Sequence, residues 1–192
     1  GQIQPASVDL RLGAKAWRVR ASFLPGPNAS VAERLPSVFM HEVDLTDGAV
    51  LETGSVYIVP LLESAAFSPG ISGAANPKSS TGRIDVFVRL ITDHAAAFDR
   101  IAPGYHGPLF AEISPRTFPI LVRKGSRLNQ LRLRHGAPTA SDAGLKELNL
   151  RSPLTDVAPI IDGGLCLSID LKGLPQQGGR IGWRAKRHTG LI

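Results

Sequence analysis

The chain has 192 residues, 43% of them apolar and 20% charged, which is enough apolar material for a core and excludes an intrinsically disordered chain. Its 20 glycines and 15 prolines exclude long helices and favour short strands joined by turns. The net charge of +6 suits an anionic partner, although charge alone does not distinguish nucleic acid from nucleotides or acidic lipid.

The single cysteine, Cys166, excludes an internal disulfide and a cysteine-based zinc site. Because it lies between two leucines, we expect it to be a small buried core residue. No apolar run reaches the roughly 20 residues that a membrane-spanning helix needs, and no signal peptide is visible. We therefore expect a soluble, cytoplasmic protein that has no membrane partner.

Short stretches that alternate polar and apolar residues, or that are rich in β-branched residues, predict a series of strands. In chain order they cover residues 7–12, 16–20, 56–62, 108–114, 118–122 and 128–133. Residues 86–91 fit either a strand or a buried helix, because periodicity alone does not decide between them. The regular spacing of the strands predicts an all-β sandwich or barrel, with residues 24–37 as a mobile loop.

The composition of the sequence changes after residue 136, and this change predicts the domain organisation. Residues 1–136 hold the strand series and form the first domain. Residues 137–160 are rich in Ala, Ser, Pro and Asp, and we interpret them as a linker with one short helical stretch at 143–149. Residues 167–171 then repeat the pattern of residues 7–10, and a Trp-Arg pair follows both copies. Residues 161–192 are therefore predicted to be the start, a fragment, of a second, related β domain.

A polar segment has the composition of a phosphate site. It consists of Lys78, Ser79, Ser80, Thr81, Gly82 and Arg83. Hydroxyls, a permissive glycine and two cations are thus adjacent, and a short helix beginning at Ser79 or Ser80 would add backbone N–H groups that bind an anion. The spacing is not that of a P-loop, and an ordinary polar turn is the alternative interpretation.

Glu112 interrupts an apolar strand, on the same face as Phe110. A carboxylate among apolar neighbours loses hydration, which makes it a useful proton shuttle near neutral pH. The alternatives are an exposed strand face, or a structural pair with a neighbour such as Arg116. The His-x-Glu and Pro-Cys-x-x-Cys motifs of zinc deaminases are absent, and the five histidines lack metal-ligand spacing, so no protein-held metal is expected.

Three motifs together carry a family resemblance: residues 4–13 (Gln-Pro-Ala-Ser-Val-Asp-Leu-Arg-Leu-Gly), residues 78–83, and residues 103–107 (Pro-Gly-Tyr-His-Gly) followed by Glu112. Their order and spacing resemble the deoxycytidine triphosphate deaminases of the dUTPase-like superfamily, and the predicted linker and repeat resemble a longer tandem bacterial form. The resemblance implies an all-β fold, a distorted dUTPase-like β-barrel of the β-clip type with few short helices. It also implies a homo-oligomer, a trimer or pseudo-trimer of barrels with nucleotide sites between them.

The resemblance further implies hydrolytic deamination of dCTP to dUTP and ammonia without zinc, which supplies dUTP for thymidylate synthesis. Glu112 then activates the water that attacks C4 of cytosine, and Ser79 and Arg83 are its catalytic companions. The other substrate-binding positions are Lys78, Ser80, Thr81 and Gly82 in the loop, with Phe110 and Ala111, whose backbone reads the cytosine edge. Mg²⁺ is expected on the triphosphate of the substrate, and nucleic acid is not an expected partner.

Two positions depart from the pattern of the family. Ala102 stands where the family commonly has an Asp that contacts the sugar, and Lys78 replaces a common Arg, which keeps the charge but loses the fork geometry. The family's closing C-terminal tail is not identifiable. The related dUTPases, which are pyrophosphatases, need an Asp at the position of Ala102 and carry an apolar residue at that of Glu112, so both positions favour the deaminase. A non-catalytic nucleotide-binding barrel is the other alternative.

Overall fold

The computed structural model describes residues 1–136 and 140–186. The chain divides into two compact units. The first contains Gly1–Gly136 with residues from Arg184 onward, and the second contains residues 137–183. No helix in the described ranges is long and apolar enough to cross a membrane.

Short strands make up most of the first unit. Their bounds are β1 Ile3–Gln4, β2 Ser7–Leu10, β3 Lys15–Val19, β4 Phe39–Asp44, β5 Ala49–Leu51, β6 Val56–Ala66, β7 Ile71–Pro77, β8 Val86–Thr92, β9 Arg100–Ile101, β10 His106–Pro115, β11 Ile120–Val122 and β12 Asn129–His135. The helices are α1 (Val31–Arg34), a 3₁₀ turn at Leu35–Ser37, and α2 (Ser79–Arg83). The predicted all-β architecture with few short helices is confirmed.

Two five-stranded antiparallel sheets form the first unit, in the orders β1-β2-β12-β7-β9 and β4-β3-β6-β10-β8, and β5 pairs with β11. Inward residues of the second sheet, such as Tyr57, Val59 and Ile113, form the main core together with Leu12 and with residues of β5 and β11. Residues 86–91, which fitted either a strand or a helix, belong to β8. Their side chains alternate between the core and the opposite face, as the two-residue repeat of a strand requires.

Residues 24–30 lie outside helices and strands, as the predicted loop requires, whereas residues 31–37 form α1 and a 3₁₀ turn, so the loop prediction is wrong for that part. Ser30 and Glu33 form a capping box at the start of α1, and Val31 is fully buried. The Val31 N–H donates to Asp93 at 2.7 Å, which joins the segment to the end of β8. Val31 packs with Ile58, Ile91 and other apolar residues on the outer face of the β4-β3-β6-β10-β8 sheet.

The second unit contains α3 (Asp142–Arg151), a hairpin of β13 (Ile160–Ile161) and β14 (Leu165–Cys166), and a 3₁₀ turn at Pro175–Gln177. The Asp142 carboxylate accepts the N–H groups of Gly163 and Gly164, so the hairpin is joined to the first turn of α3. Cys166 is exposed, so its predicted position in a core is wrong. Residues 167–170 lie outside the strands, and the identity of this region as a second β domain stays a prediction.

Candidate active site

Glu112 lies on β10, a central strand of its sheet, between β6 and β8. Its register partners are Ile58 on β6 and Arg89 on β8. Strand alternation places Glu112 on the outer face with Phe110, and its side chain is only 2% exposed. The predicted catalytic carboxylate is therefore buried, and the alternative of an exposed strand face is excluded.

The Glu112 carboxylate is paired on one oxygen and free on the other. Arg89 donates from Nη2 at 2.5 Å and from Nε at 3.0 Å, and both bonds end on Oε1. Oε2 is buried and has no hydrogen-bond partner among the described residues. The structural partner of Glu112 is thus its cross-strand neighbour Arg89, and not Arg116, which the sequence had offered as the alternative.

Aromatic rings adjoin this carboxylate. Trp17 lies next to Ile58 in register, and its ring is 6.4 Å from that of Phe110 at an angle of 36°. The ladder between β10 and β6 shifts register between Pro108 and Phe110, opposite Pro60, which has no N–H to donate. Such bulges are frequent beside functional sites because they interrupt regular pairing. A planar ligand could therefore contact both apolar rings and a carboxylate on this face.

Ala111 lies between the two strand neighbours of β10 and contributes its side chain to the barrel core. It is fully buried and pairs in register with Val59 and Leu90. The backbone of Phe110 likewise faces Pro60 and Ile91 in the ladders. It stays a prediction that the backbone of these two residues recognises the edge of the cytosine base.

Asp99 adds a second carboxylate near the Arg89–Glu112 pair. The backbone of Asp99 is left-handed, with a φ of 62°. Its Oδ1 accepts the Leu90 N–H at 2.7 Å. Burial raises the pKa of Asp99, and the charge of Glu112 adds to that rise. The Leu90 N–H and the guanidinium of Arg89 oppose it.

The predicted phosphate segment forms α2, which begins at Ser79 as expected. The residue that caps it is Lys78, and its side chain makes no capping bond, so hydroxyl capping does not explain where this helix starts. The Lys78 ammonium instead forms an ion pair with the buried carboxylate of Asp9. Thr81 is buried, whereas Gly82 and Arg83 are exposed. These contacts fix the segment against β2.

The hydroxyls of α2 face a shallow depression of about 380 Å³. Its lining consists of Gln4, Ser7, Asp9, Lys78, Ser79, Ser80 and Gln130. Glu112 does not line this depression, and within the described residues no hydrogen bond or ion pair joins α2 to Glu112. Glu112 is therefore not part of the depression that Ser79 and Ser80 line.

The Pro-Gly-Tyr-His-Gly turn is held by its tyrosine. The Tyr105 hydroxyl donates to the Pro108 carbonyl at 2.7 Å and accepts the Asp93 N–H at 3.2 Å. Burial raises the pKa of this hydroxyl, so it remains a donor. A Cβ at Gly107 would lie 2.6 Å from the Tyr105 oxygen, which explains the glycine. Ala102 and Tyr105 line a cavity of about 510 Å³.

The sequence interpretation missed several residues near these features. Arg89 is the most important, and its signal was present: it is a cation inside the apolar run of β8, as Glu112 is an anion inside that of β10. The cavity beside the tyrosine turn is also lined by Arg100, Arg134 and His94, which were not singled out. Among the described residues, no three His, Cys, Asp or Glu side chains cluster so as to hold a metal ion.

Comparisons with known proteins identify the family and the fold of the chain. The family model described as the 2'-deoxycytidine 5'-triphosphate deaminase (DCD) N-terminal domain matches residues 1–137, and that of its C-terminal domain matches residues 141–192. Among solved structures, the 2'-deoxycytidine 5'-triphosphate deaminase of Agrobacterium tumefaciens is similar, with a TM-score of 0.84 and 55% identity. The similarity covers 100% of this chain and 57% of that one, and it confirms the predicted dUTPase-like fold.

Curated relatives carry the same description over the N-terminal part of the chain. The dCTP deaminase of Halorubrum lacusprofundi is 29% identical over 133 residues, and that of Alteromonas mediterranea is 32% identical over 139 residues. A protein of Parafrankia sp. named "dCTP deaminase, dUMP-forming" is 35% identical over 136 residues. Each match covers 68% of this chain, and 62%, 67% and 62% of the respective relative. The chain belongs to the 2'-deoxycytidine 5'-triphosphate deaminase family.

Proposed function

We propose that this chain carries a catalytic barrel that hydrolyses dCTP to dUTP and ammonia. The observation that carries the proposal is the carboxylate of Glu112, which is buried beside aromatic rings and keeps Oε2 without a partner among the described residues. A buried carboxylate with one free oxygen is suited to taking a proton from water and returning it. The names of the relatives, and of the solved structure from Agrobacterium tumefaciens, support the choice of dCTP.

In the proposed reaction, Oε2 of Glu112 takes a proton from a water molecule while the water oxygen attacks C4 of cytosine. The resulting tetrahedral carbon carries both the new hydroxyl and the amino group. Glu112 then delivers the proton to the amino nitrogen, the C4–N bond breaks, and ammonia leaves. The attack leaves the electron pair of the former C4–N3 double bond on N3, and the hydroxyl proton passes to N3 as the C4 carbonyl of uracil forms, so that dCTP and water give dUTP and ammonia.

The triphosphate, with Mg²⁺ bound to it as part of the substrate, is proposed to lie against α2. The hydroxyls of Ser79 and Ser80 face the solvent there, and Arg83 is exposed and free to form a two-point contact with phosphate oxygens. Thr81 and Gly82 shape the helix that carries them. These assignments, and the pairing of Ser79 and Arg83 with Glu112 in catalysis, follow the family resemblance.

Because Glu112 does not line the depression at α2 and no described hydrogen bond or ion pair joins the two, we propose that a complete site needs two barrels. One barrel would supply α2, and another would supply the Glu112 face. A trimer of chains or a pseudo-trimer of tandem barrels satisfies this arrangement. A mixture of Glu112 variant and α2 variant chains would then recover activity that neither has alone.

A dUMP-forming reaction is the second candidate, because one relative carries that name. Such a reaction would also need a group that activates water against the α-phosphate. Ala102 stands where the related pyrophosphatases carry an Asp, and a methyl group cannot accept a proton. We therefore expect dUTP, and not dUMP, as the product.

The substitution Glu112→Gln tests the proposal, since it keeps the shape of the side chain and removes its basicity. We expect ammonia release from dCTP to fall by about 10²–10⁴-fold while nucleotide binding remains measurable. Glu147→Gln, which alters an exposed glutamate of α3, is the matched control and should keep full activity. Full activity in Glu112→Gln would contradict the mechanism. Separating dUTP from dUMP in the same reactions identifies the product.

A further inference from the structure

Arg89 is fixed more firmly than a surface arginine. Its guanidinium carbon lies 3.5 Å from the centre of the Phe98 ring and 4.9 Å from that of Phe87. Nη2 also donates to the Ser22 hydroxyl at 2.7 Å, in addition to its bond to Glu112. A planar guanidinium that packs on rings and makes several bonds has little freedom to rotate.

This arrangement makes the two oxygens of Glu112 unequal. Both Arg89 bonds end on Oε1, so that oxygen is already occupied by charge-assisted hydrogen bonds. Oε2 is equally buried but has no partner among the described residues. A buried carboxylate without a cation takes up a proton readily, whereas a cation in contact keeps it ionised. The contact with Arg89 therefore leaves the Glu112 carboxylate with a single oxygen that has no partner among the described residues and can bind a water molecule.

We propose that Arg89 is a positioning residue for deamination, which holds Oε1 of Glu112 and leaves Oε2 as the oxygen that accepts the proton of water. This inference rests on the proposed function. Arg89 does not need to touch the substrate, because it acts through the carboxylate. Its replacement should therefore change the catalytic rate and its dependence on pH more than it changes the affinity for nucleotide.

The charged groups around Glu112 support this assignment of roles. Arg89 faces Glu112 from β8. Asp99, in the segment between β8 and β9, interacts electrostatically with both Arg89 and Glu112. From β6 the register neighbour is the apolar Ile58, and Ser22, which follows β3, is uncharged and bonded to Arg89. Because Asp99 is itself an acid, the positive charge that stabilises the Glu112 carboxylate comes from Arg89.

The test compares Arg89→Gln, Arg89→Lys and the control Arg116→Gln in the natural protein, with kcat and KM for dCTP measured across pH. In Arg89→Gln, we expect kcat to fall about 10–100-fold and the acid limb of the kcat profile to move up by about 1 pH unit or more. KM should change less than about threefold, because the proposed role does not include substrate contact. Arg116 is exposed and directly follows Pro115, the last residue of β10, and its variant should retain the wild-type profile.

Arg89→Lys keeps the charge but cannot reproduce both N–H bonds from one planar group. It should therefore leave the acid limb near its wild-type position while lowering kcat about 3–10-fold. This variant keeps the proposal testable if the glutamine variant does not fold. A wild-type kcat in Arg89→Lys, or an unshifted acid limb in a folded Arg89→Gln, would overturn the proposal.

The outcome for Glu112→Gln separates this inference from the proposed function. If that variant remains active, the carboxylate mechanism fails whatever Arg89 does. If it is inactive while the pH profile of Arg89→Gln is that of the wild type, the proposed function stands and only the role of Arg89 is refuted. Melting temperatures of all variants distinguish loss of folding from loss of catalysis.

Discussion

The ion pair between Lys78 and Asp9 predicts an asymmetric response to mutation, because its partners differ in burial. The Asp9 side chain is 2% exposed, whereas that of Lys78 is 28% exposed. In Lys78→Met, Asp9 stays buried and its next cation, Arg127, is 3.9 Å away, so we expect the free energy of unfolding to fall by about 3–5 kcal/mol. In Asp9→Asn, the Lys78 ammonium can turn to water, so the expected loss is about 1–2 kcal/mol.

Urea denaturation at neutral pH measures both losses, and Lys124→Met, at an exposed lysine, is the control that should change stability by less than about 0.5 kcal/mol. The double variant Asp9→Asn with Lys78→Met should be more stable than Lys78→Met alone, because it no longer buries an unpaired charge. A larger loss in Asp9→Asn than in Lys78→Met would refute the reasoning. Such a result would mean that Lys78, and not Asp9, carries the burial cost.

Two further predictions concern pH and metal. Because burial raises the pKa of Asp99 above its ordinary value of 3.8, the folded chain holds this proton to higher pH than the unfolded chain, and the contribution of Asp99 to stability falls as the pH rises through that window. Asp99→Asn keeps an acceptor for the Leu90 N–H, so the stability of this variant relative to the wild type should rise as the pH rises through the same window. Denaturation curves at several pH values measure this difference in stability. A difference that is the same at every pH would contradict the prediction. Separately, treatment with EDTA followed by excess Mg²⁺ should restore full ammonia release, whereas a loss that only Zn²⁺ reverses would contradict carboxylate-driven chemistry.

The strands of the barrel could largely be predicted from local pattern, but their lengths could not. The β-branched run at residues 56–62 predicts the first part of β6, which continues to Ala66. The extension arises from pairing with β10, where Ala66 lies opposite His106. Pairing between strands distant in sequence adds hydrogen bonds that no local pattern encodes. Strand existence is therefore a local property here, and strand length is a property of the sheet.

Residues 24–37, called the covering segment because Val31 within it packs on the outer face of the β4-β3-β6-β10-β8 sheet, show the opposite error. Its glycine and prolines favour a loop, yet Ser30 and Glu33 have the spacing of a capping box, which is readable from sequence. The partner of Glu112 was harder to predict. Arg89 lies 23 residues away along the chain, and only the register between β8 and β10 places it opposite the carboxylate. A single sequence does not encode that register directly.

The position of Glu112 on the outer face of its sheet links the chemistry to the covering segment. The inner face packs against the main core, so a carboxylate there would have no access to substrate. An outer-face carboxylate would ordinarily be exposed to solvent, whereas Glu112 is buried, and Val31 packs in one apolar cluster with Ile58 and Phe110, which neighbour Glu112 in the sheet. The capping box and the Val31–Asp93 bond that hold this segment therefore also maintain the environment of Glu112. Mutations that loosen the segment should weaken catalysis without altering any residue that touches the nucleotide.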